Sequence, residues 1–138
     1  MSIELSAQQE TLLRRSRNGV LSTVGPDGSP HAAPVWYLWD GGEIRISTPG
    51  TTQKIRDIER NPRVALCVYD QVAGEYLTLY GQASIVTGER VSELTWPLLL
   101  SYLPSDEATV RWKRINTDGS RVVIILRPDR LRGRERAR

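Results

Sequence analysis

Six runs of strand-like sequence, most of them closed by turn residues, constrain this chain more than any other feature. They read VLSTV (20–24), HAAPVWYLWD (31–40), EIRIST (43–48), RVALCVYD (63–70), EYLTLYGQASIV (75–86) and RVVIILRP (121–128). β-Branched and aromatic residues dominate them, and EIRIST alternates as a half-buried strand does. The PDGS turn (26–29) and the Gly41-Gly42 pair close the first three into a meander. RVALCVYD is a continuous apolar run, expected of a buried strand, and Gly81 marks a bend or bulge inside the longest strand. Many antiparallel strands joined by tight turns call for a closed or nearly closed barrel.

Helices fill the gaps. Ser6 and Gln9 form a capping-box pattern, so the first helix starts there and runs to about Asn18, with Gly19 where a C′ glycine belongs. A second helix covers Thr52 to Arg60, with Ile55 and Ile58 on its apolar face and Asn61-Pro62 as its stop. Residues 89–103 read as a third helix that Pro97 kinks or restarts, and residues 105–113 as a fourth piece holding Trp112. No internal repeat or linker divides the 138 residues, which form one domain, 1–138.

Counting residue types excludes several functions. His31 is the sole histidine and Cys67 the sole cysteine, so no His/Cys zinc site and no intrachain disulfide can be assembled. The P-loop, the dinucleotide GxGxxG fingerprint and the GxSxG nucleophile elbow are all missing from the sequence. No apolar run approaches a membrane span and MSIELSAQQE does not read as a secretory leader, so a cytoplasmic location with no membrane partner is expected. The net charge of +3 belongs to the tail: residues 127–138 hold six arginines against two acids, and the remainder is net −1. That tail reads as a solvated, frayed terminus, and without a basic face elsewhere no nucleic-acid partner is expected. An enzyme of this composition takes its chemistry from a bound cofactor.

Residues 48–54, TPGTTQK, pose an electrostatic conflict. The chain has two lysines against seventeen arginines, and one of them is Lys54, just inside a helix N-terminus. The helix dipole disfavours a cation there unless an anion shares the site. An anion held by hydroxyls, backbone N–H groups and the Lys54 ammonium resolves the conflict. The alternative is a capped surface helix with two solvated cations.

Four segments in order carry a resemblance. GVLSTVGPDGSPHAAPVWY (19–37), ISTPGTTQKIRDIERNPRVAL (46–66), LYGQASIV (79–86) and RVVIILRPDRLRG (121–133) are similar to the opening hairpin, phosphate segment, return strand and closing strand of the pyridoxamine 5'-phosphate oxidase-like split-barrel family. The match spans roughly residues 5 to 133, and the run from Thr51 (or Thr48) through Lys54 to Arg56 resembles the coenzyme F420-dependent branch. The resemblance implies a mainly β (α+β) fold, a six-stranded antiparallel split β-barrel of FMN-binding type with short flanking helices. It also implies a homodimer with the cofactor in a groove between barrels, and an F420H2-dependent reductase of a small unsaturated or redox-active substrate. FMN is the alternative cofactor, and a tetrapyrrole (haem or biliverdin) binder without enzymatic activity is a further alternative. F420 is a deazaflavin with a ribityl phosphate and a polyglutamate tail, so cations at the groove exit, including the C-terminal arginines, are expected to favour it over FMN.

By the same resemblance a phosphate takes the Thr52 and Gln53 N–H groups, the Thr51 and Thr52 hydroxyls and the Lys54 charge, with Arg56 in reach of the same anion. The ring lies against the strand holding Val35, Trp36 and Tyr37 and against Ser47 and Thr48, with His31 at a position near the cofactor. Trp36 faces away from its two neighbours, and plain core packing is an equal reading for Trp36 and Tyr37. Tyr76 and Trp112 are candidates to reach a partner's cofactor. His31, Tyr37 and Tyr76 are the candidate proton donors, although a lone histidine is more often a hydrogen-bonded surface residue than a catalyst.

Overall fold

A computed structural model describes residues 3–134. Seven strands and four helices follow in the order α1 (Ala7–Arg15), β1 (Gly19–Val24), β2 (Pro30–Val35), β3 (Leu38–Asp40), β4 (Glu43–Pro49), α2 (Gln53–Arg60), β5 (Arg63–Asp70), β6 (Glu75–Val86), α3 (Arg90–Tyr102), α4 (Ser105–Ile115) and β7 (Arg121–Arg134). All strands join one antiparallel sheet in the order β2-β1-β5-β6-β7-β4-β3.

The extra strand explains how the sheet curls. Residues 31–40, expected as one strand, divide into β2 and β3, which form opposite edges of the sheet. Only Trp36 and Tyr37 link those edges. Three Cα steps reach no more than about 11 Å, so the two edges stand close together and the sheet is a split barrel. The three-stranded meander expected for the first half is therefore two separate hairpins, β1–β2 and β3–β4.

Alternation along the strands builds the core. Leu21, Ile44, Ile46, Leu66, Leu77, Leu79, Ile124 and Leu126 point inward and are almost wholly buried. Leu12 and Leu13 of α1 and Ile55 and Ile58 of α2 close onto the same cluster, each such side chain contributing about 1.5–3 kcal/mol of burial. β5 alternates instead of burying both faces. β7 is the strand buried on both sides, because Val123 and Ile125 pack outward under Val91 and Leu94 of α3. Its run of apolar residues has that cause.

Two glycines are dictated by close approach. Gly19 is not a helix C′ residue: α1 stops at Arg15 with Ser16 extended, and Gly19 opens β1, where a Cβ would lie 2.9 Å from the Tyr37 ring. Gly81 marks a bulge, as the sequence suggests, with the β6–β7 register shifting between Tyr80 and Gly81 and no space for a Cβ beside the Arg127 carbonyl.

Two other expectations are corrected. Pro97 does not restart α3, which runs through it as one helix with the proline exposed. The arginine-rich tail does not fray at residue 128, since β7 continues to Arg134, pairing Arg130, Arg132 and Arg134 with Tyr80, Thr78 and Tyr76. Residues 135–138 of the tail lie outside the described residues. Among the described residues no helix is long and apolar enough to cross a membrane.

Candidate functional site

The end of β4 and the start of β7 pair side by side, Thr48 opposite Val122 and Pro49 opposite Arg121. The TPGTTQK loop turns here, with the Gly50 N–H donating to the Ser120 carbonyl at 2.8 Å. Thr52 takes the N-cap position of α2, but its hydroxyl donates to the Pro49 carbonyl (3.1 Å) rather than capping the helix. The first N–H groups of α2 therefore face outward without an intrahelical acceptor.

Beside this helix start lies a cleft of about 280 Å³. Val35 and Trp36 at the edge crossover form one wall, Ser47 and Thr48 another, and Lys54 comes from α2. Thr95, fully buried on α3, donates to the Ser47 hydroxyl at 3.0 Å and fixes it at the rim. Leu98 and Leu99 of α3 and Ile115 of α4 supply the apolar side.

Three cations converge on the cleft: Lys54, Arg111 and Arg121. None of the residues lining it is an aspartate or glutamate. The Nε of Arg121 is buried with no hydrogen-bond partner, a costly state for a charged donor. Burial and the nearby Arg121 charge push the Lys54 ammonium below its ordinary pKa. Burial also lowers Arg121, with Asp118 acting against the shift and Arg111 adding to it. The charges around them therefore raise the electrostatic cost of Lys54 and Arg121, and an anion in the cleft would relieve both.

Trp36 is held from both faces. Its ring stacks on Tyr102 at 4.5 Å with 5° between planes, and the Arg111 guanidinium lies 4.8 Å from its centroid. The Tyr102 hydroxyl accepts the Tyr37 N–H at 3.0 Å, tying the stack to the crossover. Burial raises the Tyr102 phenol above its ordinary pKa.

Of the residues singled out from sequence, the cleft gathers Val35, Trp36, Ser47, Thr48 and Lys54. The others lie elsewhere. Tyr37 is in the core, its hydroxyl donating to the Leu13 (2.8 Å) and Ser16 (3.2 Å) carbonyls, and burial pushes its pKa up to about 12. Arg56 turns back on its own loop, donating to the Thr51 carbonyl and the Gln53 side chain. Tyr76 sits on the outer face of β6 opposite Tyr69 and Arg134. Trp112 is half-buried on α4, one residue from the arginine that does line the cleft.

His31 and Gln53 belong to a second constellation centred on Asp57, a residue the sequence reading passed over. The Asp57 carboxylate is fully buried and receives Thr23 (2.8 Å), Gln53 (2.8 Å) and Arg60 (3.1 Å), with His31 Nδ1 at 2.6 Å. Burial opposes its ionisation, but the bonds from His31, Gln53, Thr23 and Arg60 outweigh burial and hold it well below the usual carboxylate range. An acid between Ile55 and Ile58, inside the apolar stripe of α2, was the available signal. Arg111, Arg121 and Tyr102 carried no motif and are legible only once the fold brings them together.

Comparison with known proteins follows the same architecture. The profile of the pyridoxamine 5'-phosphate oxidase family matches residues 5–135. An F420 reductase of solved structure superposes with a TM-score of 0.73 at 31% identity, covering 94% of this chain and 98% of the other. A conserved hypothetical protein from Mycobacterium tuberculosis superposes at 0.80 with 25% identity, over 98% of this chain and 87% of that one. A reductase of 5a,11a-dehydrotetracycline and 5a,11a-dehydrooxytetracycline from Streptomyces rimosus is 41% identical over 64 residues, 44% of this chain and 45% of that protein. The aligned part thus spans less than half the length of that relative. With the family profile spanning almost the whole chain and the split barrel it predicts in place, this protein belongs to the pyridoxamine 5'-phosphate oxidase family.

Proposed function

We propose that this protein is an oxidoreductase that holds the phosphate of a flavin or deazaflavin in the cleft, and that the cofactor is coenzyme F420, used to reduce a small unsaturated substrate. One observation carries the reading: the orphaned, buried Arg121 Nε stands with Lys54 in a cleft without a carboxylate. A buried donor left without a partner costs on the order of 1 kcal/mol or more, and a bound phosphate offsets it. The donor set fits such a group. Lys54 and Arg121 supply charge, Ser47 and Thr48 supply hydroxyls, and the start of α2 supplies N–H groups.

When bound in its reduced form the cofactor supplies a hydride. The chain's own residues bind and orient. Leu98, Leu99 and Ile115 exclude water from one side of the cleft, and Trp36, immobilised between Tyr102 and Arg111, presents a rigid edge to it. Tyr37 is not the proton donor in this reading, because its hydroxyl is committed to α1 carbonyls. The proton comes from solvent.

F420 is favoured over FMN by the likeness to an F420 reductase across nearly the whole chain. FMN is the second reading, since the same cradle would take its phosphate. A tetrapyrrole reading lacks a ligand in the cleft: His31, the sole histidine, is turned to Asp57. We also propose a homodimer formed through the outer face of β1, β2 and β5. Val20, Pro34 and Cys67 stand side by side there, and Val20 and Cys67 pack outside the core cluster. The test of function is turnover. Mixing the protein with F420H2 and a panel of enones should restore the absorbance of oxidised F420, whereas failure with F420H2 but turnover with FMNH2 would move the protein to the second reading.

A further inference from the structure

Arg111 stands apart from the other two cations in the cleft. Lys54 and Arg121 sit on adjoining backbone, at the start of α2 and the first position of β7. Arg111 instead comes from α4, and its guanidinium carbon lies over the Trp36 ring, 4.8 Å from the centroid. One face of Trp36 is already taken by Tyr102, and the far face of Tyr102 is capped by Arg17 at 5.1 Å. The result is a stack of Arg17, Tyr102, Trp36 and Arg111 in which Arg111 is the layer at the cleft.

A guanidinium held over an aromatic ring keeps its N–H donors for a further partner. None of those donors meets an acceptor among the described residues. Asp106 and Glu107 line the neighbouring groove with Arg111 but form no ion pair with it. A fixed guanidinium edge matches a planar carboxylate, which it binds through two parallel hydrogen bonds. A tetrahedral phosphate held by Lys54 and Arg121 leaves that edge unused.

We propose that Arg111 is a specificity-determining residue that selects acceptors carrying a carboxylate, which it pairs through its guanidinium while held over Trp36. The proposal rests on the reading above, in which the cofactor phosphate occupies Lys54 and Arg121. Arg17 and Tyr102 are positioning residues here, because they hold Trp36, the ring over which Arg111 lies.

The test compares cyclohexenone with its ring-carboxylated analogue as acceptors from F420H2, using wild type, R111Q and R111K. The ratio of kcat/KM for the acid over the neutral enone should fall at least tenfold in R111Q, mainly through KM, and recover in part in R111K. The F420 Kd should change less than threefold. An unchanged ratio, or a tenfold loss of F420 affinity in R111Q, would overturn the proposal by making Arg111 a packing residue or part of the cofactor cradle. If wild type binds no F420, the functional reading fails separately. Arg111 is then read from quenching of tryptophan fluorescence by the carboxylated enone alone: saturable quenching that R111Q loses supports the selection, and no saturable quenching in wild type overturns it.

Discussion

His31 Nδ1 lies 2.6 Å from the Asp57 carboxylate, and this pair joins the β1–β2 hairpin to α2. Asp57 is fully buried while His31 is 43% exposed at its side chain, so the acid is the structural partner and the imidazole its cover. The pair lies outside the cleft, and its consequence is to set the helix whose first turn carries Lys54.

Removing Asp57 strands Thr23, Gln53 and Arg60. D57A should lose about 3 kcal/mol of unfolding free energy, measured by urea titration, and H31Q only about 1 kcal/mol. An equal loss in both would show that the imidazole, not the carboxylate, organises the cluster.

The same cluster sets an acid limit. The folded pKa of Asp57 is depressed below its unfolded value of 3.8. Its stabilisation is therefore complete above that value and is lost as pH falls below it. Between about pH 4 and pH 2 the stability of D57N should fall less steeply than that of wild type. Parallel curves would contradict the assignment.

Tyr37 sets a limit at the other end. Its pKa is raised from 10.0 to about 12, so its contribution is intact below the unfolded value and lost as pH rises through the folded one. Y37F should cost about 1–2 kcal/mol near neutrality and flatten the alkaline loss seen in wild type. Y37F should still bind the cofactor, and loss of binding in a folded Y37F would return Tyr37 to the site.

Arg121 is costly in the absence of an anion. R121M removes the orphaned donor, so its stability in phosphate-free buffer should equal or exceed that of wild type by up to about 1 kcal/mol. Inorganic phosphate should raise the Tm of wild type and leave that of R121M unmoved. A destabilised R121M in phosphate-free buffer would mean the guanidinium has a partner.

Much of this was legible in the sequence, because strands and caps are local. The Ser6 capping box, the Gly81 bulge and the Ile55–Ile58 face of α2 follow from residue type and spacing. The split of residues 31–40 into β2 and β3 was not legible, because nothing local distinguishes a long strand from two short ones on opposite sheet edges. The length of β7 was hidden for a related reason. Alternate arginines read as a solvated tail until Tyr76, Thr78 and Tyr80 are found opposite them. Deleting residues 128–138 to test whether the tail favours F420 over FMN would therefore remove a paired arm of the sheet, and charge-neutral R130Q/R132Q is the better variant. Of the cleft, Lys54 was exposed by its conflict with the helix dipole. Arg111 and Arg121 were invisible because their meaning comes from each other, across residues that sequence spacing does not relate.

The most direct measurement is a titration of the purified protein with F420 and, separately, with FMN, followed by tryptophan fluorescence, on wild type and Lys54→Ala. Trp36 in the cleft wall supplies the signal. The account predicts saturable quenching by F420, weaker binding of FMN, and at least a tenfold loss of F420 affinity in Lys54→Ala. Binding of F420 that is indifferent to Lys54, or no binding of either cofactor, would contradict it.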